Sequence, residues 1–212
     1  MEVILAAVDS PLADAWRTWC ADLDFVTVHQ GSILDLNVDA VVSPANSFGF
    51  MDGGIDMRYS QHFGWKVQER LQSLIRTRHH GELLIGAAEI VDTDNPRIPY
   101  VIAAPTMRVP MILSETVNPY LAARAALLLI KHGTFAIGPL KGEPVSAGVQ
   151  SVAFPGLGTG VGRVEPNTCA RQMRAAIDEV LLEKDAFPNS WADAQARHQR
   201  LYSEEVRDLQ RD

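Results

Sequence analysis

Apolar positions along this chain follow two rhythms, and the rhythms alternate. Short apolar runs at residues 3–8, 25–29, 40–43, 82–91, 100–104 and 151–154 read as strands. Helical spacing fills the intervals. Ser10 is a plausible N-cap with Pro11 at the first helical position, opening a helix that carries Leu12, Trp16 and Trp19. Val67, Leu71, Leu74 and Ile75 lie on one helical face, and Gly81 is placed to stop that helix. Asn118-Pro119 opens another helix, which runs through Leu127 to Ile130 and stops at Gly133. Pro166 opens a third, with Cys169, Met173, Ile177, Val180 and Leu181 on its apolar face. Asn95-Pro96 marks a turn between two strands. Residues 138–148, with three glycines and two prolines, read as a mobile connection.

Strands that alternate with helices imply an α/β layered fold with a largely parallel central sheet. In such sheets ligands bind beyond the carboxyl ends of the strands. The glycine-bearing loops after Ser43 and after Phe154 belong at that edge.

Composition narrows the function classes. The chain has 212 residues and a net charge of -7, which suits one domain and argues against nucleic acid as a partner. Cys20 and Cys169 are its two cysteines and have neither zinc nor disulfide-framework spacing. They read as core thiols of a reducing cytoplasm. The stretch Met1-Glu2-Val3-Ile4-Leu5 reads as a first strand and not a signal peptide. No apolar run is long enough to span a bilayer, so a cytoplasmic location without a membrane partner is expected. No histidine has metal-ligand spacing, so no metal or other cofactor is expected. His79 and His80, at a helix end, read as surface residues, and His29 and His62 lie near the presumed site by sequence.

Two loops carry candidate chemistry. The first runs from Asn46 to Asp56 and contains Gly53-Gly54. Glycines let backbone N–H groups approach a ligand, and amides at a loop-to-helix junction favour anions. Asn46 can hydrogen-bond a hydroxyl. Asp56 is an acid that an anion loop does not need. It is either chemically active or an N-terminal helix acid that satisfies free amides. The second loop, residues 155–163, has glycines at 156, 158, 160 and 162. Alternating glycines form a concave nest for phosphate oxygens, to which Arg163 can add a charged contact.

Ala40-Val41-Val42-Ser43-Pro44-Ala45-Asn46-Ser47, followed by Gly53-Gly54-Ile55-Asp56, resembles the signature of the macro domain family. Gly31-Ser32-Ile33 sits where that family has a Gly-Asp-Ile type turn. Gly158-Thr159-Gly160-Val161 is similar to its second loop. The resemblance covers most of the chain, from about Val3 to Leu182. It implies a three-layer α/β/α sandwich with a mixed, largely parallel sheet, and ADP-ribose or an ADP-ribosyl conjugate as the ligand. It also implies a diphosphate held between the two loops. Ser32, Ile33, Ala45, Gly53, Gly54 and Ile55 would contact the ligand from one side. Gly156, Gly158, Thr159, Gly160, Val161, Gly162 and Arg163 would contact it from the other.

In family members of the MacroD type, which hydrolyse ADP-ribosyl linkages, an Asn and an Asp ten positions later bracket the distal ribose. Asn46 and Asp56 match both residue types and that separation. The resemblance thus gives Asn46 a ribose hydroxyl to orient and Asp56 a water to position or activate. A binding module without turnover is the second reading. Three departures bear on it. Ser32 replaces the acid that accepts from the adenine amino group, with Asp9 a candidate substitute. Gly162 replaces an aromatic, for which Phe48 or Phe50 are candidates. Met51 and Asp52 interrupt the glycine run.

Residues 1–186 are expected to form the domain and 187–212 a helical extension docked on it. Pro188-Asn189-Ser190 starts that helix, and Trp191, Ala194, His198, Leu201 and Tyr202 form its stripe. The stripe reads as a docking edge or, alternatively, as a protein contact.

Overall fold

Residues 1–44, 46–184 and 187–208 are described by a computed structural model of the chain. Among them, six strands form one sheet: β1 (Glu2–Ala7), β2 (Val26–Gln30), β3 (Ala40–Ser43), β4 (Glu89–Asp92), β5 (Tyr100–Ala103) and β6 (Ser151–Phe154). Their order is β2-β1-β6-β3-β5-β4. All neighbours pair in parallel except β4, which runs antiparallel to β5 at the edge.

Helices α1 (Ser10–Trp19), α4 (Asn118–His132), α5 (Val145–Gly148) and α6 (Pro166–Val180) cover one face. Helices α2 (Gly54–Phe63) and α3 (Lys66–Arg78) cover the other. Alternate strand residues feed the two cores: Val3 and Leu5 face one, Ile4 and Ala6 the other. This is the expected three-layer sandwich. The continuous apolar runs are explained by burial on both faces. No helix among the described residues is long and apolar enough to cross a membrane.

A partly exposed polar clamp joins the two strands that carry the glycine loops. Asp39 Oδ2 accepts from the backbone N–H groups of Gln150 and Ser151, each at 2.8 Å, and from Ser151 Oγ at 2.9 Å. The clamp sits at the start of β3 and β6 and sets their register. The loops at their far ends therefore lie side by side.

Several local expectations need correction. Asp9, not Ser10, caps α1: its Oδ1 accepts from Leu12 N–H at 3.1 Å, and Ser10 is the first helical residue. Of residues 82–91 only the last part is strand. Leu84 is 63% exposed and Gly86 has a positive φ, so 82–88 is a turning segment despite its apolar residues. Residues 138–148 are folded, with α5 at their end and Gly142 N–H bonded to Phe135 O at 2.8 Å. His79 is half-buried: its Nε2 lies 2.8 Å from the buried Glu89 carboxylate, which Arg78 Nε also contacts at 2.9 Å.

Both cysteines are free and buried, as expected. Helix α7 (Trp191–Arg200) is capped by Ser190, whose Oγ accepts from Asp193 N–H at 3.1 Å. Its stripe is not a buried edge. Trp191 is 64% exposed, whereas Gln199 is buried and bonds Arg207 N–H and O. An Arg171–Glu204 ion pair of 2.5 Å ties this segment to α6.

Candidate functional site

The carboxyl ends of β1, β3, β5 and β6 open into a cleft of about 380 Å3. Its floor and ends come from Ala6, Ala7, Gly31, Ile33, Pro44 and Thr106. The first loop contributes Asn46, Gly53, Gly54, Ile55 and Asp56. The second contributes Gly156, Gly158, Thr159, Gly160, Val161 and Gly162. The tertiary structure thus brings together most of the residues singled out in the sequence.

Two of the described residues fall elsewhere. Ser32 is turned into its own loop, where its Oγ accepts from Leu34 N–H at 3.3 Å, and it does not line the cleft. Arg163 is exposed, has φ 54° and also lies off the cleft. Ala45 lies outside the described residues. Residues 107, 110 and 155, which sequence reasoning had not selected as ligand contacts, join the lining. They carry no motif of their own, and only the strand ends place them there. Arg108 points away, stacked over the Phe48 ring at 5.2 Å and paired with Glu82 at 2.7 Å. Neither His29 nor His62 lines the cleft.

The first loop is held rigidly. Asn46 Oδ1 accepts from the N–H groups of Phe48 and Phe50, and its Nδ2 donates to Phe50 O at 2.8 Å. Met51 is fully buried in the core beside α3, its N–H donating to Gln68 Oε1 and its O accepting from Ser60 Oγ, each at 2.7 Å. The residue that interrupts the glycine run is therefore an anchor. Phe50, two residues after Phe48, is left 52% exposed on the cleft wall.

The glycines divide into two kinds. A Cβ at Gly53, Gly54 or Gly160 would meet nothing within 4 Å, so these backbones are open to the cleft. Gly54 also has φ 56°, a conformation glycine adopts without steric cost. By contrast, a Cβ at Gly162 would sit 2.5 Å from Gly158 O, and one at Gly156 would sit 2.4 Å from Thr159 Oγ1. Helix α2 begins at this edge with no side-chain cap. Its first-turn N–H groups and the positive end of its dipole favour an anion there.

Asp56 occupies the third position of α2 and is only 7% exposed. It does not cap the helix. Ser43 Oγ, at the end of β3, donates to Asp56 Oδ1 at 2.5 Å. Burial pushes the Asp56 carboxyl up to about 7, against a partly opposing effect of the Ser43 hydrogen bond. Such a group exchanges a proton near neutral pH. Asp9 and Asp52 also line the cleft, whereas no Lys, Arg or His among the described residues does. An anion must be held here by amides and dipoles.

The Macro domain family model matches residues 42–173, more than half of the chain. An uncharacterized protein of Aquifex aeolicus is 31% identical over 148 residues, covering 70% of this chain and 78% of that protein. Another from Aeropyrum pernix is 28% identical over 160 residues, covering 76% and 74%. Among solved structures, the Mycobacterium tuberculosis DarG macrodomain superposes with TM-score 0.56 at 20% identity, over 71% of this chain and 88% of that one. An Oceanobacillus iheyensis macrodomain variant with ADPR gives 0.58 at 19% identity, over 81% and 86%. The same macrodomain is also known with ADP, at TM-score 0.57 and 20% identity, over 81% and 84%. These likenesses establish the fold, and with the family model and the Aquifex relative they place the chain: it belongs to the macro domain family.

Proposed function

We propose that the cleft binds ADP-ribose or an ADP-ribosyl conjugate and hydrolyses an ADP-ribosyl ester, in the manner of MacroD-type enzymes. The observation that carries this reading is Asp56. It is a buried carboxyl pushed up to about 7, set in the cleft wall beside the open backbones of Gly53 and Gly54, where no basic side chain among the described residues faces it. The diphosphate lies between those glycines and Gly160. The distal ribose lies against Asn46 and Asp56, with a mono-ADP-ribosylated acidic side chain or an O-acyl group as its substituent.

Ionised Asp56 accepts a proton from a water whose oxygen bonds to the anomeric carbon. The bond from that carbon to the acyl oxygen breaks, and the acyl group leaves with the electron pair as a carboxylate. ADP-ribose and the free carboxylate are the products; where the acyl group sits on another ribose hydroxyl, the water adds to the acyl carbon instead, the acyl C–O bond breaks and the ribose oxygen leaves as a hydroxyl, giving the same two products. Asp9, with one oxygen spent on its helix cap and its residue in the cleft wall near Gly31, is the group placed to meet the base. In two of the Oceanobacillus iheyensis structures an asparagine and an aspartate ten positions apart, the separation of Asn46 and Asp56, are replaced by alanine.

The test is turnover of O-acetyl-ADP-ribose and of a protein mono-ADP-ribosylated on glutamate. Release of ADP-ribose by the wild type and its loss in Asp56→Ala are expected. Equal release by both would remove the hydrolase reading.

One observation favours the second reading, a binding module without turnover. The Asn46 carboxamide is already committed on both its atoms to its own loop. Calorimetric binding of ADP-ribose with no release of product from either substrate would select it. No heat at millimolar ADP-ribose would count against both.

A further inference from the structure

Ser43 closes β3 and is fully buried, with its backbone O accepting from Ala104 N–H at 2.9 Å. Its hydroxyl has a second connection, across to α2, where it donates to Asp56 Oδ1 at 2.5 Å. Among the described residues that is the hydrogen bond the Asp56 carboxyl makes. We propose that Ser43 is a positioning residue: it fixes the orientation of the Asp56 carboxyl and leaves Oδ2 as the one oxygen that meets ligand. This inference rests on the reading of the cleft as an ADP-ribosyl site.

The surroundings of Asp56 offer no substitute for that hydroxyl. On its own helix, Tyr59 is buried and its O–H donates to Val42 O at 3.1 Å. The Ser60 hydroxyl, also on α2, is spent on Met51 O. From the first loop the charged neighbour in the cleft is Asp52, and from the start of α1 it is Asp9. Both are acids, and no basic side chain lines the cleft among the described residues. Removing the Ser43 donor therefore leaves a buried carboxylate with no donor from a side chain. Desolvation then acts unopposed, and the carboxyl ionises at higher pH. A free Oδ1 also lets the carboxyl rotate, so the oxygen presented to a water is no longer defined.

The experiment compares wild type, Ser43→Ala and Ser43→Thr. The first readout is the 13C titration of the Asp56 carboxyl, assigned by the signal that disappears in Asp56→Asn. The second is the pH–rate profile with O-acetyl-ADP-ribose. A hydrogen bond to a charged group is worth enough to move the Asp56 midpoint and the acidic limb upward by about one pH unit in Ser43→Ala. Ser43→Thr, which keeps the hydroxyl, is expected to restore both. ADP-ribose affinity at pH 5.5, where the carboxyl is protonated in every variant, should change less than about threefold, because the diphosphate cradle is untouched.

If Ser43→Ala does not fold, Ser43→Cys provides a weak donor of similar size. A midpoint in the folded donor-deficient variant equal to that of wild type overturns the inference. Absence of turnover in wild type is a separate result: it removes the hydrolase reading and leaves the carboxyl titration to decide the role of Ser43.

Discussion

The Asn46 carboxamide grips the backbone of Phe50 from both sides, accepting from its N–H at 3.3 Å and donating to its O at 2.8 Å. A residue chosen from the sequence for its reach toward a sugar thus also shapes the loop that forms the cleft wall. Asn46→Ala is expected to cost about 1 kcal/mol of stability, the usual net worth of such bonds. It should also raise amide exchange at residues 48–52 and weaken ADP-ribose binding. Hydrogen exchange and calorimetry on the same variant check this. A variant that loses turnover with unchanged exchange would confine Asn46 to the chemistry.

Asp56 couples stability to pH. Its carboxyl shifts from an ordinary 3.8 to about 7 in the folded protein, so the native state binds the proton more tightly than the unfolded chain does. Stability from this group is therefore highest below about pH 4. It is lost as pH rises to about 7 and then levels off. At 1.36 kcal/mol per unit the loss is on the order of 4 kcal/mol. Asp56→Asn removes this contribution and should be more stable than wild type at pH 8, with the advantage shrinking toward pH 4. Chemical unfolding of both proteins across that range measures the difference. An advantage independent of pH would show that the carboxyl ionises normally.

Glycines of the second loop separate ligand access from packing. Gly160→Ala meets no neighbour and is expected to leave Tm within a degree or two while lowering ADP-ribose affinity at least tenfold. Gly162→Ala puts a methyl 2.5 Å from a backbone oxygen and should destabilise by about 1–3 kcal/mol. Thermal unfolding and calorimetry on the pair test the distinction. If Gly160→Ala binds like wild type, the diphosphate does not pass that backbone.

Asp9 has two tasks that substitution can split. Asp9→Ala loses the α1 cap, at a cost of about 1 kcal/mol. Asp9→Asn keeps a capping oxygen but loses the charge. If the second oxygen of Asp9 meets the base, wild type should bind ADP-ribose more tightly than its hypoxanthine analogue. Asp9→Asn should narrow that ratio. Equal ratios in both proteins would leave the base without this contact.

Residues beyond 187 should be separable from the site. Trp191 is exposed, and the Arg171–Glu204 ion pair ties the segment to α6 through an exposed Glu204, a contact worth about 0–1 kcal/mol. Deletion of residues 188–212 is expected to leave ADP-ribose affinity unchanged and lower Tm by only a few degrees. A large loss of either would make the extension part of the domain.

Much of this was legible from the chain alone. The continuous apolar runs at 40–43 and 151–154 correspond to β3 (Ala40–Ser43) and β6 (Ser151–Phe154), because strands buried on both faces tolerate no polar interruption. The helical face of Val67, Leu71, Leu74 and Ile75 is buried as its spacing required. The same criterion failed at Leu83-Leu84, where one leucine is buried and the next exposed on a turning segment. Local hydrophobicity does not record which residues a sheet has room for.

Sequence by itself determined which residue types could do chemistry and their separation along the chain. Tertiary structure decided their partners. Only the juxtaposition of β3 with α2 pairs Ser43 with Asp56 and buries the acid beside a cleft that, among the described residues, no basic side chain lines. Only the local backbone turns Ser32 and Arg163 away from the cleft while Asp9 and Phe50 reach it. Side-chain direction and desolvation depend on neighbours distant in sequence, and a carboxyl's proton affinity depends on both.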